Sequence, residues 1–146
     1  MMFQSNLKTA NACIHYVQKF SGPDIVWCPG GDQIGEEWEE QFNLFPDFLN
    51  TSFDPRGAGK TISFKKPPWS INTYAHDLAE LIKNVCDPPV IIIGLSMGAL
   101  IVQEILLKFP ELCRFGIAMG TSGKKSGFIH EWEEAEIKLR TSGLNL

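Results

Sequence analysis

Short apolar runs alternate with longer amphipathic stretches along the chain, and this pattern predicts strands and helices in turn. The most apolar run, residues 90–93, has no polar position, so we expect a strand that is buried on both faces. Residues 70–85 carry an apolar stripe at helical spacing, and Ser70 is a suitable N-cap. The other predicted strands cover residues 13–20, 24–28, 50–53 and 115–119, and the other predicted helices cover 36–48 in part, 97–109 and 130–139.

This order of elements predicts an α/β fold in which helices flank a mainly parallel sheet. The length of 146 residues suits one domain, and a hydrophobic content of 44% is enough for a packed core. With a formal net charge of −4 and no basic stripe, the chain is not expected to bind nucleic acid. Its longest apolar stretch, residues 88–107, is interrupted by glycine and polar positions, so no membrane span is predicted.

The cysteines and the N-terminal sequence both bear on whether the protein is cytoplasmic or secreted. The four cysteines (Cys13, Cys28, Cys86 and Cys113) are widely spaced, which indicates neither a zinc site nor a redox motif. Such cysteine usage is typical of a reducing environment. The first residues lack the basic segment and apolar run of a signal peptide. We therefore expect a cytoplasmic protein without a metal site.

The segment Gly94-Leu95-Ser96-Met97-Gly98 carries the strongest chemical signal. It follows directly on the predicted strand 90–93 and leads directly into the predicted helix 97–109, the setting that a G-x-S-x-G motif requires. A tight turn here would strain the backbone of Ser96, and the glycines Gly94 and Gly98 would relieve the crowding. A helix N-terminus also favours developing negative charge. Ser96 is therefore the candidate nucleophile, and the alternative is a serine that only caps the helix.

Two further loops follow predicted strands, at the sheet edge where α/β proteins place their sites. The backbone N–H groups of the turn 29–32 (Pro-Gly-Gly-Asp) could face an oxyanion, although a plain turn has the same sequence pattern. The loop 54–59 (Asp-Pro-Arg-Gly-Ala-Gly) contains Asp54 and Arg56. These two side chains could form an ion pair that braces the loop, and this structural role is favoured over a catalytic one.

The three histidines differ in their suitability as a catalytic base. His15 lies in a predicted strand and His76 in a predicted helix, so a structural or solvated role is expected for both. His130 follows Ser96, as the base does in the order of G-x-S-x-G hydrolases. It begins a charged helix instead of ending a strand, however, which makes it a weak candidate base.

Taken together, these segments resemble the α/β-hydrolase superfamily, and within it the esterases, enol-lactonases and cofactor-free haloperoxidase-like proteins. The segments that carry the resemblance are residues 29–31, 54–59, 94–98 and 109–112. The resemblance implies a hydrolase without a cofactor that acts on a small-molecule acyl substrate, a carboxylic ester, thioester or lactone. It also implies Ser96 as nucleophile, with the backbone N–H groups of Met97 and Gly31 (or, less favoured, Asp32) as oxyanion donors. Pro29 stands where the family usually has a histidine.

The resemblance further divides the chain into residues 1–120, the N-terminal portion of a hydrolase core, and 121–146, the start of a cap region. In the family, strands beyond the cap carry the catalytic acid and histidine, so we expect a truncated chain that lacks both. The predicted strand 115–119 would then be an unpaired apolar edge, open to self-association. Two alternatives stay open, namely a non-catalytic binding protein of the same fold and one half of a swapped or complemented assembly.

Overall fold

The computed structural model describes residues 1–121 and Lys138, and within them seven strands form one mixed sheet. The strand order is β1-β2-β4-β3-β6-β7, with β5 paired to β2. Strands β3, β4, β6 and β7 are parallel to one another, whereas β1, β2 and β5 join by antiparallel pairing. The strands are β1 (Phe3–Lys8), β2 (Ala12–Lys19), β3 (Asp24–Cys28), β4 (Leu49–Phe53), β5 (Ile62–Ser63), β6 (Val90–Leu95) and β7 (Cys113–Met119), and the helices are α1 (Glu39–Phe42), α2 (Ile71–Val85) and α3 (Met97–Lys108).

The predicted fold class is confirmed, and most predicted elements are present. Ser70 caps α2, because its Oγ accepts a hydrogen bond from the N–H of Thr73 at 3.1 Å. The expected helix at 36–48 is shorter than predicted, a 3-10 turn at Gly35–Trp38 followed by α1. Strands β1 and β5 were not predicted. The predicted helix 130–139 and the cap region 121–146 lie outside the described residues, apart from Thr121 and Lys138.

The part of the sheet around β6 is covered on both faces, so β6 is buried between two apolar layers. Helices α2 and α3 pack against one face, where Val90 and Ile92 of β6 are buried. The other face carries a smaller cluster that includes Trp27, Trp38 and Ile93. Burial on both faces is what the unbroken apolar run of β6 predicts.

The loop after β4 is braced differently from the prediction. The expected ion pair between Asp54 and Arg56 is wrong, because Arg56 instead forms a two-pronged pair with Asp77 of α2, Nε–Oδ2 2.7 Å and Nη2–Oδ1 2.8 Å. The planar guanidinium matches both carboxylate oxygens, and this hydrogen bonding raises the pKa of Arg56. The carboxylate of Asp54 accepts backbone N–H bonds from Gly35 and Lys60, both at 2.8 Å.

Among the described strands, β7 lies at one end of the sheet and exposes apolar side chains. Phe115, Ile117 and Met119 are 51%, 42% and 38% exposed. They stand opposite Ile91, Ile93 and Leu95 of β6 in the parallel register. Among the described residues, no helix has both the length and the apolar character needed to cross a membrane.

Candidate active site

Ser96 occupies the single residue between β6 and α3, in a backbone conformation that only a few per cent of non-glycine residues adopt. Its φ is 56° and its ψ is −117°. The N–H of Ser96 donates to the carbonyl of Met119 at 2.9 Å, and its own carbonyl accepts the N–H of Ala99 at 2.9 Å. The surrounding backbone therefore holds Ser96 in a strained conformation, and such strain is concentrated at functional sites.

The hydroxyl of Ser96 is not used to cap α3. It accepts no hydrogen bond from the helix N–H groups, and the residue is exposed. Ser70 has the opposite arrangement, an extended backbone and a hydroxyl bonded to the first turn of α2. The alternative in which Ser96 only caps a helix is therefore contradicted, and its Oγ is open to a ligand.

The two glycines that flank Ser96 stand where backbone segments touch. A Cβ at Gly94 would lie 2.3 Å from the carbonyl oxygen of Gly98. A Cβ at Gly98 would lie 2.1 Å from the carbonyl oxygen of Cys28, at the end of β3. Neither position has room for a side chain, so the tight turn depends on both glycines.

The glycine turn after β3 lies beside Ser96, as expected from the pairing of β3 with β6. A Cβ placed on Gly30 would be 3.5 Å from the Cβ of Ser96, so the two backbones are in near contact. Pro29 and Gly30 are buried, whereas Gly31 and Asp32 are exposed. Sequence reasoning therefore located two segments that the fold brings together.

The N–H groups around Ser96 are not equally available. Gly30 donates its N–H to the side-chain Oε1 of Gln33 at 2.7 Å. No heavy atom lies within 4 Å of the Cβ position of Gly31, so space is open there. Met97 is the first residue of α3, where a helix leaves N–H groups without an intrahelical partner. Gln33, three residues after Gly30, was not predicted as part of the site, because no sequence pattern indicates this hydrogen bond.

No histidine in the described part of the chain is hydrogen-bonded to Ser96. His15 is buried in β2, where its Nδ1 lies 3.1 Å from Oδ1 of Asn6. His76 lies on α2 with its Nδ1 2.8 Å from the carbonyl of Asn72. Both therefore have the structural surroundings expected of them, and His130 lies outside the described residues.

The buried thiols of Cys28 and Cys86 are poor nucleophiles. Burial raises the pKa of the Cys28 thiol far above its usual range, and it raises that of Cys86 to about 12. Both therefore remain protonated at neutral pH, and the thiolate is the reactive form. Within residues 1–121, no cluster of histidine, cysteine, aspartate and glutamate side chains could hold a metal ion.

A cavity of about 410 Å³ lies away from Ser96, at the N-terminal end of α2. Its lining includes Lys65, Lys66, Trp69 and His76, while the charge of Arg56 at its side is offset by Asp77. The lysines are exposed on an open surface. Ser96 therefore remains the centre of the candidate site.

Comparison with known proteins establishes the family. The sequence profile of the alpha/beta hydrolase fold family matches residues 23–142, so the chain belongs to that family. This range includes the turn 29–32, the loop 54–59 and the segment 94–98 described above.

Individual relatives are longer than this chain. BpoC of Mycobacterium tuberculosis, which carries the name of a non-heme bromoperoxidase, is 30% identical over 136 residues, 90% of this chain and 50% of BpoC. The 3-oxoadipate enol-lactonase 2 of Acinetobacter baylyi is 28% identical, over 73% of this chain and 40% of that enzyme. The crystal structure of BpoC superimposes with a TM-score of 0.81 and covers 91% of this chain. The chain thus spans about half the length of the curated relatives that it matches.

Proposed function

We propose that the protein is a serine hydrolase that cleaves a carboxylic ester, thioester or lactone of a small molecule through an acyl-enzyme. The strained, exposed Ser96 between β6 and α3 carries this proposal, because its hydroxyl is not used by the fold. Membership of the alpha/beta hydrolase fold family agrees with hydrolysis in general. The enol-lactonase of Acinetobacter baylyi supports a lactone or ester as the substrate class.

In the proposed reaction, Ser96 Oγ attacks the carbonyl carbon and forms the new Oγ–C bond. The proton passes to a base, and the negative charge on the carbonyl oxygen rests on the N–H groups of Met97 and Gly31. When the carbonyl re-forms, the bond to the leaving oxygen or sulfur breaks, and the leaving group takes up the proton. Water then releases the acid and restores the hydroxyl.

The base lies outside the described residues, since His15 and His76 are bonded elsewhere. Three candidate sources of the base remain, namely His130, the part of the longer relatives that this chain does not span, and a second chain. Without a base, serine acylation falls by several orders of magnitude, while an oxyanion site alone still gives a residual rate of roughly 10³–10⁴-fold over water. A sensitive measurement of acylation at Ser96 is therefore a better test of this chain than an assay of repeated ester hydrolysis.

The test is acetylation by p-nitrophenyl acetate, followed as nitrophenol release and located by peptide mass spectrometry. We expect an acetyl group on Ser96 in the wild-type chain and none in Ser96→Ala. Ser70→Ala is the matched control, because Ser70 is also an exposed serine before a helix but has an ordinary backbone conformation. A folded wild-type chain with no acetyl group on Ser96 would reject acyl transfer by this chain alone and favour a binding protein or an incomplete assembly.

A further inference from the structure

The side chain of Gln33 is bonded to the turn after β3. Gln33 Oε1 accepts the N–H of Gly30 at 2.7 Å, and the N–H of Gln33 donates back to the carbonyl of Gly30 at 3.3 Å. The two hydrogen bonds close a loop of four residues on itself. Asp32, inside this loop, has a φ of 64°, so the turn is in a conformation that needs external support.

The closed loop determines which N–H groups can reach a ligand. Because the N–H of Gly30 is committed to Gln33, the N–H groups of Gly31 and Asp32 are the next ones along the chain. Both residues are exposed, and Gly31 has open space around it. Gly30 itself is buried beside Ser96, where a Cβ would lie 3.2 Å from the carbonyl of Leu95. A small rotation of Gly30 would therefore move the Gly31 N–H relative to Ser96.

We propose that Gln33 is a positioning residue. Its carboxamide oxygen holds the N–H of Gly30, in the Pro29–Gly30 peptide, and so sets the orientation of the next peptide, in which the Gly31 N–H faces the oxyanion formed at Ser96. This inference rests on the proposed hydrolase function. Proline at position 29 has no backbone N–H and no polar side chain to hold the loop, so the side chain of Gln33 does this instead. Preorganised donors stabilise the transition state because they need no rearrangement during the reaction.

The first arm of the test is the acetylation of Ser96 in Gln33→Leu, which keeps the volume and removes the acceptor. We expect the maximal acetylation rate to fall on the order of tenfold, less than the roughly 100–1,000-fold that follows the loss of an oxyanion donor. The half-saturating ester concentration should stay unchanged, because the oxyanion exists only in the transition state. Gln4→Leu, at an exposed glutamine of β1, should react like the wild type.

The second arm does not depend on catalysis and measures amide hydrogen exchange of Gly30 by NMR. Exchange should become about tenfold faster in Gln33→Leu and stay slow in Gln33→Glu, which keeps an acceptor oxygen. Equal acetylation rates in wild type and Gln33→Leu would overturn the positioning role. If the wild type is not acetylated at all, the proposed function fails and the catalytic part of the inference with it. The hydrogen bond from the Gly30 N–H to Gln33 is then supported only if the Gly30 amide exchanges faster in Gln33→Leu. An unchanged exchange rate overturns this part as well.

Discussion

At the scale of single residues, Ser96 combines a functional hydroxyl with a costly backbone. A φ of 56° brings the Cβ of an L-residue close to neighbouring backbone, and such conformations cost about 1–3 kcal/mol. Two backbone hydrogen bonds hold the residue in place: its N–H donates to the carbonyl of Met119, and its carbonyl accepts from the N–H of Ala99. The strained backbone of Ser96 therefore lowers the free energy of unfolding of the protein.

Replacing Ser96 by glycine should release this strain. We expect Ser96→Gly to raise the free energy of unfolding by about 1 kcal/mol, because part of the gain is lost to the greater unfolded-state entropy of glycine. Ser96→Ala keeps the Cβ and should leave stability nearly unchanged. Urea denaturation of the three proteins measures the difference. A glycine variant that is less stable than the alanine variant would contradict the strain.

The sequence predicted those site residues that belong to a local motif. Ser96, Gly94 and Gly98 follow from one motif between a strand and a helix, because the turn itself demands those residue types. Gln33 did not follow from any pattern, since its role depends on a side-chain rotamer. The pair of Arg56 with Asp77 joins positions 21 residues apart, and nothing local distinguishes it from the expected pair with Asp54.

At the scale of elements, the sequence predicted those strands and helices whose burial leaves a strong periodic signal. Strand β6 is apolar throughout, and α2 has a continuous apolar stripe behind its Ser70 cap. Strand β1 (Phe-Gln-Ser-Asn-Leu-Lys) has mostly exposed or half-buried side chains, so its composition resembles that of a loop. Strand β5 has two residues, which is too short for any periodicity.

The attachment of the loop after β4 to α2 depends on the buried pair of Arg56 and Asp77, whose side chains are 3% and 9% exposed. Asp77→Ala should lower the free energy of unfolding by about 3–5 kcal/mol, because it leaves the guanidinium buried without its partner. Arg56→Met combined with Asp77→Leu should recover most of this loss. Urea denaturation measures both changes.

The Lys19–Glu39 pair is the matched control for this prediction. Its atoms are 3.0 Å apart, but the glutamate side chain is 49% exposed. Glu39→Ala should therefore cost less than about 1 kcal/mol. If Asp77→Ala costs no more than Glu39→Ala, the buried pair does not hold the loop to the helix.

At the scale of the whole molecule, the apolar surface continues past the covered part of the sheet onto β7. Phe115, Ile117 and Met119 extend the face that Trp27 and Trp38 cover near β3. An exposed strand with apolar side chains and unpaired backbone groups favours pairing with another chain. We therefore propose that this surface pairs with a second copy of the chain.

Antiparallel pairing of two β7 strands about Gly116 would place Phe115 opposite Ile117 of the second copy, and Arg114 opposite Ala118. Aromatic side chains pair well with β-branched ones, and the two arginines avoid each other.

We therefore expect the 146-residue chain to associate as its concentration rises, measured by sedimentation equilibrium. Ile117→Lys should shift it to the monomer because a charge enters the apolar contact, whereas Leu107→Lys, at a residue 79% exposed on α3, should not. Each copy carries both halves of this contact, so association needs no other partner. A wild-type chain that stays monomeric at every concentration would therefore show that this edge does not pair.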